Sequence, residues 1–144
     1  MPNRSVYLGA ALIFLMSFGA FAQTSGQKES KLSASQQKIV KDKIATLKIP
    51  QERQLAESWS DAKKAAEMLC RPAALPVLKK QTPSIDKVFL GTDDPKTLNL
   101  ESNRKLTGSG QFRTANGWQD FTFTCELDPA TGKVTSFKPV VSPK

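Results

Sequence analysis

The chain has 144 residues, with 21 Lys/Arg against 13 Asp/Glu, two cysteines and no histidine. The lack of histidine excludes Ser-His-Asp and Cys-His catalytic machinery and any histidine metal site. This length supports one modest core and one domain, and the net charge of +8 points to polyanionic surroundings, not to a particular fold.

Residues 1–22 read as a secretory signal peptide. Met1 to Ser5 is short and carries Arg4, residues 6–16 are almost unbroken apolar, and Ala20-Phe21-Ala22 is a small-x-small cleavage site. The apolar run is short for a membrane span of about 20 residues. No cysteine follows the cleavage site, which argues against a lipid anchor, so no span is expected after cleavage. Residues 23–32 are polar and aperiodic and read as a flexible leader. A single α+β domain is expected over residues 33–140, with 141–144 as a tail.

Ser33 and Gln36 offer a capping box. Val40, Ile44 and Leu47 follow on one helical face. The helix should stop near Lys48, because Pro50 disfavours helix at Ile49. Pro50 then suits the first turn of a second helix. Leu55, Trp59, Ala62, Ala66 and Leu69 form an apolar stripe, which Ser58 and Ser60 interrupt, with Ser60 capping the segment that runs to Cys70. Arg71-Pro72 marks a boundary, and residues 72–80 read as a further helical turn or two.

Strand texture begins at Ile85. Lys87 to Leu90 is a first strand, residues 91–95 are turn chemistry, and Leu98 to Leu100 is a short edge strand. Residues 106–114 form a strand interrupted by glycines. An Asn116-Gly117 turn leads into the strongest strand, 118–127, and Asp128 to Gly132 turns the chain into a last strand over 134–140. Phe121, Phe123, Cys125 and Leu127 share one face of the strong strand. The expected fold is therefore α+β: N-terminal helices on a three- to five-stranded antiparallel sheet. In an exported chain the two cysteines allow one bridge, Cys70–Cys125, joining helix to sheet.

Charge is uneven. Residues 28–80 hold twelve Lys/Arg and six Asp/Glu, and residues 81–144 hold eight and seven. The basic half is either a polyanion-binding surface or a plain solvated face. Candidate chemistry is sparse. Asp120, Glu126 and Asp128 could pair for hydrolysis, but such residues usually form the polar side of a sheet. Asp93 and Asp94 lack the alternating ligands of a calcium loop. Residues 131–135 lack the upstream glycine of a phosphate loop. Thr107, Gly108, Ser109 and Gly110 read as a bulge or close backbone approach, or as a small-residue loop presented to a partner. Trp59 fits the core, and Trp118 at the hairpin tip can be a binding platform. Gln111, Arg113, Thr122 and Thr124 can form a polar sheet surface for sugar or peptide. No catalytic residue, metal or cofactor is expected.

Three features occur together: the run from Gly117-Trp118 through Phe121, Phe123 and Cys125, the turn at 128–132, and Val134-Thr135-Ser136-Phe137. They resemble a family of small exported proteobacterial proteins known as domain of unknown function 930. The resemblance covers roughly residues 51–140, with Cys70 as the upstream cysteine and Lys87-Val88-Phe89 as the following strand. It implies export, the bridge and the fold, but no activity. The leading expectation is a non-enzymatic periplasmic or secreted protein that binds an envelope protein or an anionic polymer or lipid surface, and not nucleic acid. The possible contacts are Thr107, Gly108, Ser109, Gly110, Arg113 and Trp118. The alternatives are an inhibitor of a cell-wall-degrading enzyme, using the 107–110 loop, and a carboxylate-dependent hydrolase.

Overall fold

The computed structural model describes residues 30–92 and 94–143. The expected signal peptide (residues 1–22), residues 23–29 of the expected leader, Asp93 and Lys144 lie outside the described residues. The chain runs α1 (Ala34–Ala45), α2 (Pro50–Glu57), α3 (Asp61–Lys64), a π-helical segment (Ala65–Cys70) and α4 (Arg71–Gln81). The strands are β1 (Lys87–Leu90), β2 (Leu98–Glu101), β3 (Lys105–Thr114), β4 (Gly117–Leu127) and β5 (Val134–Val141). All pairings are antiparallel. The sheet order is β1-β3-β4-β5, and β2 shares with β1 the outer edge of β3. The expected α+β fold is present, with helices on one face of a five-stranded sheet.

Helix α1 starts as its sequence predicts. The Ser33 hydroxyl accepts from the Gln36 backbone N–H, and the Gln36 side chain accepts from the Ser33 N–H. Gln36 is also wholly buried, and its Nε2 donates to the Asn103 carbonyl at 2.7 Å. The Ser33 hydroxyl donates to the Pro129 carbonyl. One cap thus ties α1 to two hairpin turns of the sheet. Leu32 is 3% exposed, and its N–H donates to Asp61. Residues 30–32 therefore belong to the domain and not to the leader, because Leu32 finds an apolar site and its amide a carboxylate.

The apolar stripe is broken. Leu55 is 59% exposed, and Trp59, partly buried, lies beyond the end of α2. The Ser58 and Trp59 amides close that last turn, so the phase restarts at Ser60, which caps α3. Ala62, Ala66 and Leu69 are then buried as expected. Arg71-Pro72 is not a boundary, since helix continues to Gln81 through Pro72 and Pro76. Pro72 has no N–H to offer the Met68 carbonyl one turn back. The Lys43 ammonium from α1 donates to that carbonyl instead, and the wider π turn makes room for the ring.

Cys70 ends the π segment, and its sulfur is bonded to Cys125 of β4 across 55 residues, with both cysteines wholly buried. Helix α4 touches β1 at one edge of the sheet and β5 at the other, and the bridge pins its N-terminal end to β4. Phe112, Phe121, Leu106 and Leu90 meet it from the sheet side. Burying a side chain of this size contributes about 2 kcal/mol.

The β3–β4 turn is centred on Ala115 and Asn116, one residue earlier than expected, because Thr114 pairs with Gly117. Within this turn only Gly117 takes positive φ, 106°, the pattern of a hairpin whose turn is followed by a left-handed glycine. Beyond it, Trp118 pairs with Arg113 and emerges on the face away from the helices.

Candidate functional site: the uncovered sheet face

Alternation along the strands gives the sheet two chemically distinct faces. Phe121, Phe123, Cys125 and Leu127 point to the helices, and Trp118, Asp120, Thr122, Thr124 and Glu126 point away. The register arranges the outer face in cross-strand rows. Lys87, Arg113 and Trp118 form one, Phe89, Gln111 and Asp120 the next. Ser109, Thr122 and Val140 follow, then Asn99, Thr107, Thr124 and Lys138. Hydroxyls thus occupy the middle of the face and aromatics one end.

That aromatic end is organised. Phe89 and Trp118 stack with ring centroids 5.5 Å apart and planes 26° apart, while remaining 39% and 48% exposed. The Arg71 guanidinium lies 5.1 Å from the Phe89 ring centre, and that of Arg113 lies 5.7 Å from the Trp118 ring centre. Each cation is held by a carboxylate. Arg71 bonds Glu67 at 2.9 Å, and Arg113 donates to both Asp86 oxygens at 3.0 and 2.6 Å. The Arg113 hydrogen bond holds the Asp86 carboxyl below its ordinary range and raises the Arg113 guanidinium above its own. Both guanidiniums are therefore oriented by their carboxylate partners, with the ring pair between them.

The segment Thr107 to Gly110 is neither a loop nor a bulge. It lies inside β3, paired with β4 in unbroken register from Lys105 to Thr114, and the sheet's irregularity falls instead at Glu126/Leu127. Its close-approach reading holds. A Cβ on Gly108 would sit 2.2 Å from the Thr97 carbonyl oxygen, and one on Gly110 would sit 2.6 Å from the Phe89 carbonyl oxygen and 2.7 Å from the Phe121 ring. Both glycines face the helix side, so they cannot contact a partner on the outer face. Thr107 and Ser109 alternate to that outer face and stay in the candidate site with Arg113 and Trp118.

The carboxylates do not converge. Asp120 and Glu126 are six residues apart on one strand, about 20 Å, well beyond the spacing of a glycosidase pair. Asp120 accepts from Gln111 at 2.7 Å. Asp128 accepts from the Ala130 amide and the Thr131 hydroxyl, and the amide bond above all holds its carboxyl below the ordinary range. It shapes a turn. Asp94 caps the short helical turn Pro95–Thr97. Gly132, at φ 72°, lies against Ile39 of α1 and is part of a turn packed on a helix. Among the described residues, no group of three or more His, Cys, Asp or Glu side chains could hold a metal ion, and no helix is long and apolar enough to cross a membrane. The disulfide fits an oxidising compartment.

Phe89, Arg71 and Asp86 are members of the site that sequence reading did not single out. Phe89 had a signal, since Val88 and Leu90 flank it on the buried phase of a four-residue strand. Arg71 had none, because its approach to Phe89 depends on how α4 crosses the sheet edge. Compared with protein-family models, curated proteins and solved structures, the chain matches none.

Proposed function

We propose that this is an exported, non-enzymatic binding protein of the bacterial cell envelope, periplasmic or secreted, whose uncovered sheet face takes an anionic envelope polysaccharide. The observation that carries this reading is the exposed Phe89–Trp118 stack between two oriented guanidiniums. A sugar ring presents a face of C–H groups that sits on an aromatic ring, and a guanidinium binds carboxylate or phosphate with two parallel hydrogen bonds. The hydroxyl rows beside the stack offer donors and acceptors along a flat surface. Exposed aromatic and arginine side chains are also the residue types that dominate binding energy when buried by a partner. The resemblance to an exported family of unknown function agrees with this compartment.

Co-sedimentation of the oxidised protein with purified peptidoglycan sacculi tests the reading. The wild type is expected to sediment with the polymer. Trp118→Ala is expected to weaken this about tenfold, in line with loss of one well-placed aromatic contact of about 1.4 kcal/mol. High salt should weaken binding without abolishing it, because stacking is not screened. Failure of the wild type to sediment, or sedimentation indifferent to Trp118, overturns the reading. A protein from envelope extract retained at high salt in place of the polymer makes the face a protein interface instead.

A further inference from the structure

Charge is ordered along the open sheet face, from one end to the other. The aromatic end carries Arg113 and, directly across from it on β1, Lys87. Asp86 takes the Arg113 Nε and Nη2 protons, and the guanidinium has further donors on Nη1 for a second anion. One row on, Asp120 brings a carboxylate to the face, accepting from Gln111. The third row is uncharged: Ser109, Thr122 and the exposed Val140. Lys138 marks the fourth row beside Thr124. The fifth holds two carboxylates, Glu101 and Glu126, against one ammonium, Lys105. Of the large apolar side chains left exposed among the described residues, Phe89, Trp118 and Val140 lie on this face, so contacts for the C–H side of a sugar continue past the ring stack.

Rows on one face repeat every two residues, about 6.8 Å, so the rows of Arg113 and Lys138 are about 20 Å apart along the strands. A pyranose in an extended chain advances about 5 Å, and about five sugars cover that span of about 20 Å. We infer that the face holds a linear segment of about five sugars, with an anionic substituent on every second sugar and not on each, an inference that rests on the polysaccharide reading above. Anionic groups about 10 Å apart fall at the first row, between the second and third, and at the fourth. A group on every sugar adds one about 5 Å along the track, beside Asp120, where like charges repel. The carboxylates of the fifth row end the track in the same way. The rings supply affinity at one end, and the order of charge supplies the choice of chain.

Peptide-free glycan strands released from sacculi, with one carboxylate on every second sugar, are the probe. They are sized as di-, hexa- and octasaccharides and titrated by calorimetry. Affinity is expected to rise about tenfold from disaccharide to hexasaccharide, and by no more than about twofold from there to the octasaccharide. Lys138→Gln should weaken the hexasaccharide about threefold, as for one exposed ion pair, and leave the disaccharide unchanged. A hexasaccharide of galacturonic acid, with a carboxylate on every sugar, should bind more weakly than the glycan despite its greater charge. Asp120→Asn should narrow that gap. The uncharged hexasaccharide of N-acetylglucosamine should also bind more weakly. The inference is overturned by a plateau already at the disaccharide, or by an equal loss from Lys138→Gln at every length. It is also overturned if either comparison hexasaccharide binds as tightly as the glycan, or if Asp120→Asn leaves the galacturonate gap unchanged. Where the wild type still sediments with whole sacculi through Trp118, those results leave the polysaccharide reading standing; where it does not, both fall.

Discussion

The two faces of the β3–β4 ladder share one backbone and one register, yet they are under opposite constraints. On the helix side every position is committed. Gly108 and Gly110 have no room for a methyl group, Phe121 covers Gly110, and Cys125 is bonded to the π segment. On the outer side, side chains contact their cross-strand neighbours and, at the aromatic end, Arg71 and Asp86, and two large aromatics remain half in water. The comparison teaches where to look for function in this fold. The covered face accounts for its residues through packing alone, whereas packing does not account for a solvent-facing Phe–Trp stack clamped by two arginines.

Substitutions on the committed side should be costly. The largest effect is expected from the disulfide: Cys70→Ala with Cys125→Ala should lower stability by about 4 kcal/mol, read as a drop in urea midpoint. A decrease below about 1 kcal/mol would mean that packing of α4, and not the bridge, holds the layers. Gly108→Val should follow at about 3 kcal/mol, because its Cβ meets a backbone oxygen that cannot turn away. Gln36→Ala should lower stability by about 2 kcal/mol, because it strands the Asn103 carbonyl and the Ser33 amide together. On the outer face, Trp118→Ala should change stability by less than about 1 kcal/mol while abolishing most polymer binding. A large stability loss there would erase the distinction between the faces.

The smallest effect concerns acid. Asp86 and Asp128 both titrate below the ordinary carboxylate value of 3.8 in the folded protein. A group whose folded pKa is depressed adds stability above its unfolded pKa, and that stability is lost as pH falls through the folded pKa. Asp128→Asn should therefore flatten the loss of stability below about pH 4 in a pH series of thermal melts and leave the neutral value slightly lower. An unchanged acid limb would show that the Asp128 turn contributes nothing to the linkage.

Local chemistry was legible wherever neighbours in sequence are neighbours in space. The Ser33–Gln36 cap, Pro50 at a helix start, Ser60 as a cap and the alternation of Phe121, Phe123 and Cys125 each rest on interactions within a few residues. The pairing of the cysteines was accessible because only two exist. What went unread depends on contacts across the fold. Arg71-Pro72 looked like a helix end because the donor that rescues the Met68 carbonyl comes from Lys43, 25 residues away. Thr107 to Gly110 left bulge, close backbone approach and loop open, because the backbone filling the space above Gly108 belongs to Thr97.

By itself, then, the sequence determined the class of fold, the phase of the strongest strand and the bridge between helix and sheet, because hydrophobic period and cysteine count can be read without knowing the packing. Tertiary structure alone decided that Gly108 and Gly110 serve the core, that Phe89 and Trp118 meet on the open face, and that Arg71 reaches the ring from a helix on the other side of the sheet. Those outcomes follow from register and from the path of α4, quantities set by the packing of the whole chain and carried by no single segment.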